Sequence, residues 1–132
     1  MNVREQTSKS TGGRRSATHA ARHRLERLVA LYVDRCSRNR TAARVSELAQ
    51  FLRTNRSYLS RVAPTVLGRP LRVALLDQQL FIAERLLRET ADPIAEVAVL
   101  SAFGTPSTFY RSFRKAFACS PKEYRRRVTN CE

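Results

Sequence analysis

No apolar run in these 132 residues approaches the ~18 needed for a membrane span, and the polar N-terminus lacks a signal-peptide core. A soluble, cytoplasmic protein is therefore expected. Cysteine is scarce: Cys36, Cys119 and Cys131 show no CxxC and no metal-ligand spacing. An odd count without a secretory signal points to reduced thiols. The two histidines, His19 and His23, sit four apart on one helical face, but no convincing third ligand is near and Arg22 and Arg24 flank them. No metal site is expected there. A glycine-rich phosphate loop is missing, as is any nucleophile beside a base. Glu84, Glu89 and Glu96 fall on helices near Arg85, Arg88 and the positive surface, where ion pairing accounts for them. These absences predict a protein that is not an enzyme and carries no cofactor.

Basic charge, by contrast, is abundant. The 25 Lys and Arg outnumber 11 Asp and Glu, giving a formal net charge of +14 and a pI near 11.3. Such an excess favours a polyanionic partner, because Lys and Arg at phosphates release condensed counterions. Charge alone does not separate that from a ribosome-associated protein, a membrane-surface protein or a basic tail on a neutral domain. Its placement is uneven. Residues 1–44 hold eleven basic groups against Glu5, Glu26 and Asp34, whereas the remaining 88 residues hold 14 against eight. The globular part is thus only moderately basic, and its partner must be argued from where residues lie.

Residues 1–18, MNVREQTSKSTGGRRSAT, offer almost nothing to bury and read as a disordered basic tail. Helical periodicity begins near His19, with Leu25, Leu28, Val29, Tyr32 and Cys36 on one stripe. Ser46 can cap a second helix, SELAQFL. Asn55 can cap a third, with Leu59, Val62 and Val66 inside and Arg56, Ser57, Ser60 and Arg61 outside; Gly68 ends it. A long apolar helix follows from Leu71 to Glu89, its most continuous face Leu76, Leu80, Ala83 and Leu87. Later starts are marked by Asp92-Pro93, by Thr105-Pro106 and by Ser120-Pro121, the last with Glu123 completing a capping box. Seven helices and no alternating strand pattern make the expected fold all-α.

Within that order lies a repeat. Leu48-Ala49 answers to Val97-Ala98, and Asn55, Ser57, Leu59 and Arg61 answer to Thr105, Ser107, Phe109 and Arg111. The offset is 49 before the turn and 50 after it, so the second turn is one residue longer. In the second copy Phe109, Phe113 and Phe117 form an inner stripe, and Ser107, Tyr110, Arg111 and Arg114 lie around the other side. A short helix, a tight turn and a helix with a polar, basic outer face is a shape a DNA major groove can accept.

These residues, densest in ERLLRETADPIAEVAVLSAFGTPSTFYRSFRKAFACSPKEYRR, resemble the paired helix-turn-helix DNA-binding domain of the AraC/XylS family of bacterial transcription regulators, from about residue 25 to 127. The resemblance implies a homeodomain-like arrangement of two units, about 46–67 and 93–117, joined by a linker helix at about 71–89. Their recognition helices would enter successive major grooves roughly one turn (~34 Å) apart. Carried over by position, the base-facing residues are Ser57, Ser60 and Arg61 in the first unit and Pro106, Ser107, Tyr110 and Arg111 in the second. Asn55, Arg56, Thr105, Arg114 and Lys115 fall where backbone phosphates would be held. Double-stranded DNA is the implied partner, RNA polymerase a second one, and the nucleoid the implied location.

Only some 24 residues precede the match, so the layout resembles small regulators that act as monomers without an effector-binding domain. Several positions depart from the family pattern. Ala63 stands where Phe is usual, and Pro64 after it predicts a kinked or short first recognition helix. Gln79 replaces a common Arg, and Ala102 and Ala118 replace Gly. Those departures also fit a different reading, an interaction module that binds another regulator or the polymerase without reading an operator. Because the second unit keeps more of the pattern, it is expected to be the stronger reader.

Overall fold

The computed structural model describes residues 7–130, with side chains from Thr18 onward. Seven helices and no strand occur among the described residues: α1 (Thr7–Asn39), α2 (Val45–Phe51), α3 (Arg56–Leu67), α4 (Leu71–Glu89), α5 (Ile94–Leu100), α6 (Pro106–Phe117) and α7 (Pro121–Asn130). The all-α expectation is met.

Start signals that act within one turn are in place. Asn55 Oδ1 accepts from Tyr58 N at 2.8 Å, and Thr105 Oγ1 from Thr108 N at 3.3 Å. Ser120 and Glu123 form the reciprocal box, with Glu123 N donating to Ser120 Oγ at 3.1 Å and Ser120 N to Glu123 Oε1 at 2.9 Å. Two expected caps are corrected. α2 starts at Val45 with Arg44 as its cap, so Ser46 lies inside the helix; α5 starts at Ile94, and Pro93 rather than Asp92 holds the cap position. Proline there cannot donate, and its fixed φ suits the extended residue just before a helix.

Three further expectations are corrected. The chain is helical from Thr7, so residues 7–18 continue α1 rather than forming a separate unstructured tail; residues 1–6 lie outside the described residues. Once His19–Asn39 is packed, each added turn extends an existing helix without a new nucleation cost. Leu28, placed on the inner stripe, is 39% exposed, and Val33 is buried in its stead beside Val29, Tyr32 and Cys36. Nor is α3 short. It runs through Pro64 to Leu67 and matches the twelve residues of α6. Pro64 lies one turn from the end, and the carbonyl it leaves without a helical donor belongs to Ser60 on the exposed face, where water can serve it.

The repeat extends to the backbone. Arg53 and Ala102, 49 apart, both adopt positive φ in the turn between the paired helices, at 59° and 65°. After the turn, Gly68 and Ala118, 50 apart, take the left-handed cap position at 77° and 61°, each closing on the carbonyl four residues back, Pro64 or Arg114, at 2.8 Å. The residue that lengthens the second turn is Gly104, with φ 84°. A left-handed Ala costs about 1–2 kcal/mol on the folded side. Replacing the exposed Ala118 by Gly relieves that cost, offset by about 0.4–1 kcal/mol of extra unfolded-state freedom. Thermal melts should find Ala118→Gly neutral to stabilising by up to ~1 kcal/mol, and Ala118→Val clearly destabilising, since a β-branched residue tolerates positive φ worse.

Burial divides into two clusters that share α4. One gathers Val29, Tyr32, Val33, Leu48, Ala49, Leu59, Ala63 and Leu67 against Leu71, Ala74 and Leu75. The other gathers Val97, Ala98, Phe103, Phe109 and Phe113 against Leu80, Ala83 and Leu87. The missing aromatic at Ala63 leaves no exposed gap, for Ala63 is 1% exposed with α1 packed across α3. α4 therefore spends its first half on one unit and its second on the other. Between the halves stands Gln79, buried and polar.

Candidate nucleic-acid interface

Both α3 and α6 bury their Leu or Phe rows and turn their polar residues outward. Ser57, Ser60 and Arg61 are exposed on α3, and Pro106, Ser107, Tyr110 and Arg111 on α6. The residues expected at phosphates, Asn55, Arg56, Thr105, Arg114 and Lys115, are exposed as well. Each helix thus presents a capped N-terminus and then a strip of hydroxyls ending in Arg. Backbone N–H groups at such a start favour anions, while the strip supplies donors that a groove floor could meet.

Ion pairing sorts the arginines. Arg38 pairs with Asp34, Arg40 with Glu96, Arg69 with Asp77 and Arg88 with Glu84. Arg125 instead donates to the backbone carbonyls of Leu87 at 3.2 Å and Asp92 at 2.6 Å. Arg56, Arg61, Arg111, Arg114 and Lys115 enter no salt bridge among the described residues. The cations on the outer faces of α3 and α6 are therefore among those available for an outside anion.

Supporting contacts hold each helix. Arg22 of α1 donates Nη2 to the Leu67 carbonyl at 2.9 Å, satisfying the end of α3. On the other side α7 clamps α6. The Tyr124 ring meets Phe113 edge-on at 5.5 Å and Phe117 at 5.5 Å, and its hydroxyl donates to Glu84 while accepting from Arg88 at 2.8 Å. Burial first, then the Glu84 carboxylate, push the Tyr124 phenol above its ordinary value, so it stays a neutral donor at physiological pH. The Glu123 carboxyl is held below the usual carboxylate range, chiefly by its bond from the Ser120 backbone, so the capping box keeps its charge at neutral pH. Glu96 is lowered too, first through its hydrogen bonds from Arg40.

Tyr58 was missed by sequence reasoning. Its ring is 48% exposed on α3, and the Arg61 guanidinium lies over it at 5.5 Å from the centroid. That contact pre-places Arg61 and adds an aromatic surface to the strip. The i to i+3 spacing of Tyr58 and Arg61 was the available signal. Arg72, exposed in the first turn of α4, borders one cleft with Arg56 and Ser60, and nothing in periodicity singled it out.

Residues 48–127, more than half of the chain, match the family model described as a helix-turn-helix domain. The chain is 34% identical over 71 residues to the regulatory protein SoxS of Salmonella typhimurium, a match spanning 54% of this chain and 66% of SoxS, just under two thirds. It is similar in structure to the C-terminal domain of AraT, a response regulator from Geobacillus stearothermophilus, with a TM-score of 0.68 and 28% identity over 80% of this chain and 84% of that one. The DNA-binding domain of AdpA, a global transcriptional factor, in complex with a target DNA, gives a TM-score of 0.70 over 80% and 93% of the two chains; at 24% identity the likeness is one of fold alone.

Proposed function

This chain belongs to the AraC/XylS family of helix-turn-helix transcription regulators, and from that membership we propose that it reads a specific double-stranded DNA site at promoters. α3 and α6 would lie in successive major grooves. One observation carries the reading: α3 and α6, the repeated helices, each expose a polar strip that follows a capped N-terminus and carries an arginine in no ion pair among the described residues. Arg61 and Arg111 are assigned to base edges with Ser57, Ser60, Pro106, Ser107 and Tyr110. Asn55, Arg56, Thr105, Arg114 and Lys115 are assigned to phosphates. AdpA's DNA-binding domain, whose fold this chain shares, is in complex with a target DNA. In this reading the protein acts as a monomer in the bacterial cytoplasm, contacts RNA polymerase and works on nucleoid DNA.

An interaction module without operator reading is the alternative raised by Ala63, Pro64 and Gln79. Each departure is absorbed inside the fold: Ala63 is buried, α3 keeps its full length through Pro64, and Gln79 is hydrogen-bonded. None of them disturbs the outer strips, which favours the operator-reading proposal.

Selection on random duplexes tests it. A bipartite motif should be enriched, its half-site centres about ten base pairs apart. A one-part motif would assign reading to one unit alone, and absence of any enriched motif would favour the interaction module.

A further inference from the structure

The two units meet along a seam of hydrogen bonds and close approach. The Ala102 carbonyl, in the turn of the second unit, accepts two hydrogen bonds. One comes from Ala43 N at 2.9 Å, in the lead-in to α2; the other comes from Gln79 Nε2 at 2.8 Å, in the middle of α4. A carbonyl oxygen has two lone pairs, and both are taken. Beside it, a Cβ on Gly104 would lie only 3.0 Å from Ala42 Cβ, so the Ala42 methyl packs into the space a side chain at 104 would need. At the outer end Arg40 grips Glu96 with both nitrogens, at 2.7 and 3.0 Å. Four contacts thus bind the α1–α2 connector and α4 to the second unit, three at the turn that aims α6 and one on α5.

We propose that this seam, with Gln79 as its buried positioning residue, fixes the separation and rotational phase of α3 and α6, so that the two half-sites are accepted at a single spacing. The inference rests on the operator-reading proposal above. One added base pair moves the second half-site by about 3.4 Å and turns it by roughly 35°. Two units joined only by an apolar patch could slide to follow. A carbonyl held from two directions, with an Arg fork beyond it, resists both translation and twist, because each displacement breaks a directional bond in a buried place.

The experiment measures affinity for a set of duplexes that carry both selected half-sites and differ only in spacer length, alongside one that carries the second half-site alone. The full chain is compared with Gln79→Met, which keeps the volume and removes the donor, and with Glu96→Gln, an edge change that spares the core should the first variant fold poorly. Wild type should favour its best spacing over one base pair more or less by about tenfold, the discrimination that a lost set of base contacts gives. Both variants should cut that ratio, Gln79→Met to about threefold or below, while the second half-site alone is bound as before. A uniform loss at every spacing, with the ratio kept, would overturn the seam's role and leave operator reading intact. Wild type binding every spacing equally would likewise overturn the seam's role, whereas binding an unrelated duplex as tightly as these would overturn operator reading itself, and the inference with it.

Discussion

Phe113→Ala should cost about 3–5 kcal/mol and remove the second unit as an ordered body. Phe113 is fully buried, with Phe109 at 5.6 Å, Phe117 stacked at 4.4 Å and Tyr124 edge-on at 5.5 Å. Truncation leaves a hole bounded by rings, and rings held in place by one another collapse poorly. A domain of this size is stable by only about 5–15 kcal/mol, so the loss is a large share of the whole. It should also be local. The cluster around Leu48, Leu59 and Leu67 shares no residue with the cluster around Phe113, and α4 is the main bridge between them. Hydrogen exchange should show amides of α5, α6 and α7 losing protection first, while α1 to α3 stay protected longer. A melting temperature within a few degrees of wild type, with α6 still protected, would show that the aromatic stack is not what holds the recognition helix.

Local chemistry explains which parts of the fold were legible from the chain. Asn55, Thr105 and the Ser120–Glu123 box were readable because a cap is decided within three residues, by a side-chain oxygen and an N–H that have no other partner. Ser46 and Asp92 carry the same chemistry and were misplaced: α2 starts at Val45, leaving Ser46 two positions past the cap, and α5 starts at Ile94, leaving Asp92 one before the cap. Phe109, Phe113 and Phe117 announced their burial through a four-residue recurrence. Leu28 met the same rule and lies at the rim, since periodicity sets an angle around the helix and not how far the neighbouring helices reach.

What could not be read was every contact across long sequence distance. Gln79 looked like a departure from the family, and it is the residue that joins α4 to Ala102. Arg40 looked like one more cation in a basic stretch, and it is spent on Glu96, 56 residues away. The positive φ at Arg53 had no glycine to signal it, yet the turn of the first unit requires it as the second requires Ala102. The serines and arginines of the outer strips were legible, because exposure on α3 and α6 follows from the same period that buries the inner rows. Tyr58 shows the limit of that method: it lies on the strip, but an aromatic among hydroxyls and arginines reads as core until its ring is found half exposed under Arg61.

Arg111→Ala should weaken binding to a selected site by about 5- to 150-fold while barely changing affinity for unrelated duplex. The range follows from ~1–3 kcal/mol for one bidentate Arg–guanine contact, at 1.4 kcal/mol per tenfold. Two features make Arg111 the position of largest expected effect. It is exposed on the second turn of α6 without a carboxylate partner among the described residues, so little protein–protein interaction must be broken when it turns to a base. Its helix is also the better supported of the two, backed by the Phe stack and by α7 through Tyr124. Arg61, held over Tyr58, should show a smaller loss, because the ring gives part of its guanidinium an alternative partner in the free protein. Gel shifts on specific and nonspecific duplexes at several salt concentrations separate base reading from phosphate holding. Arg114→Ala and Lys115→Ala, as phosphate contacts, should weaken both duplexes alike and lower the salt slope by roughly one counterion each. If Arg111→Ala instead weakens every sequence equally and flattens the salt slope, then Arg111 is a phosphate anchor, and base reading by α6 has to rest on Ser107 and Tyr110.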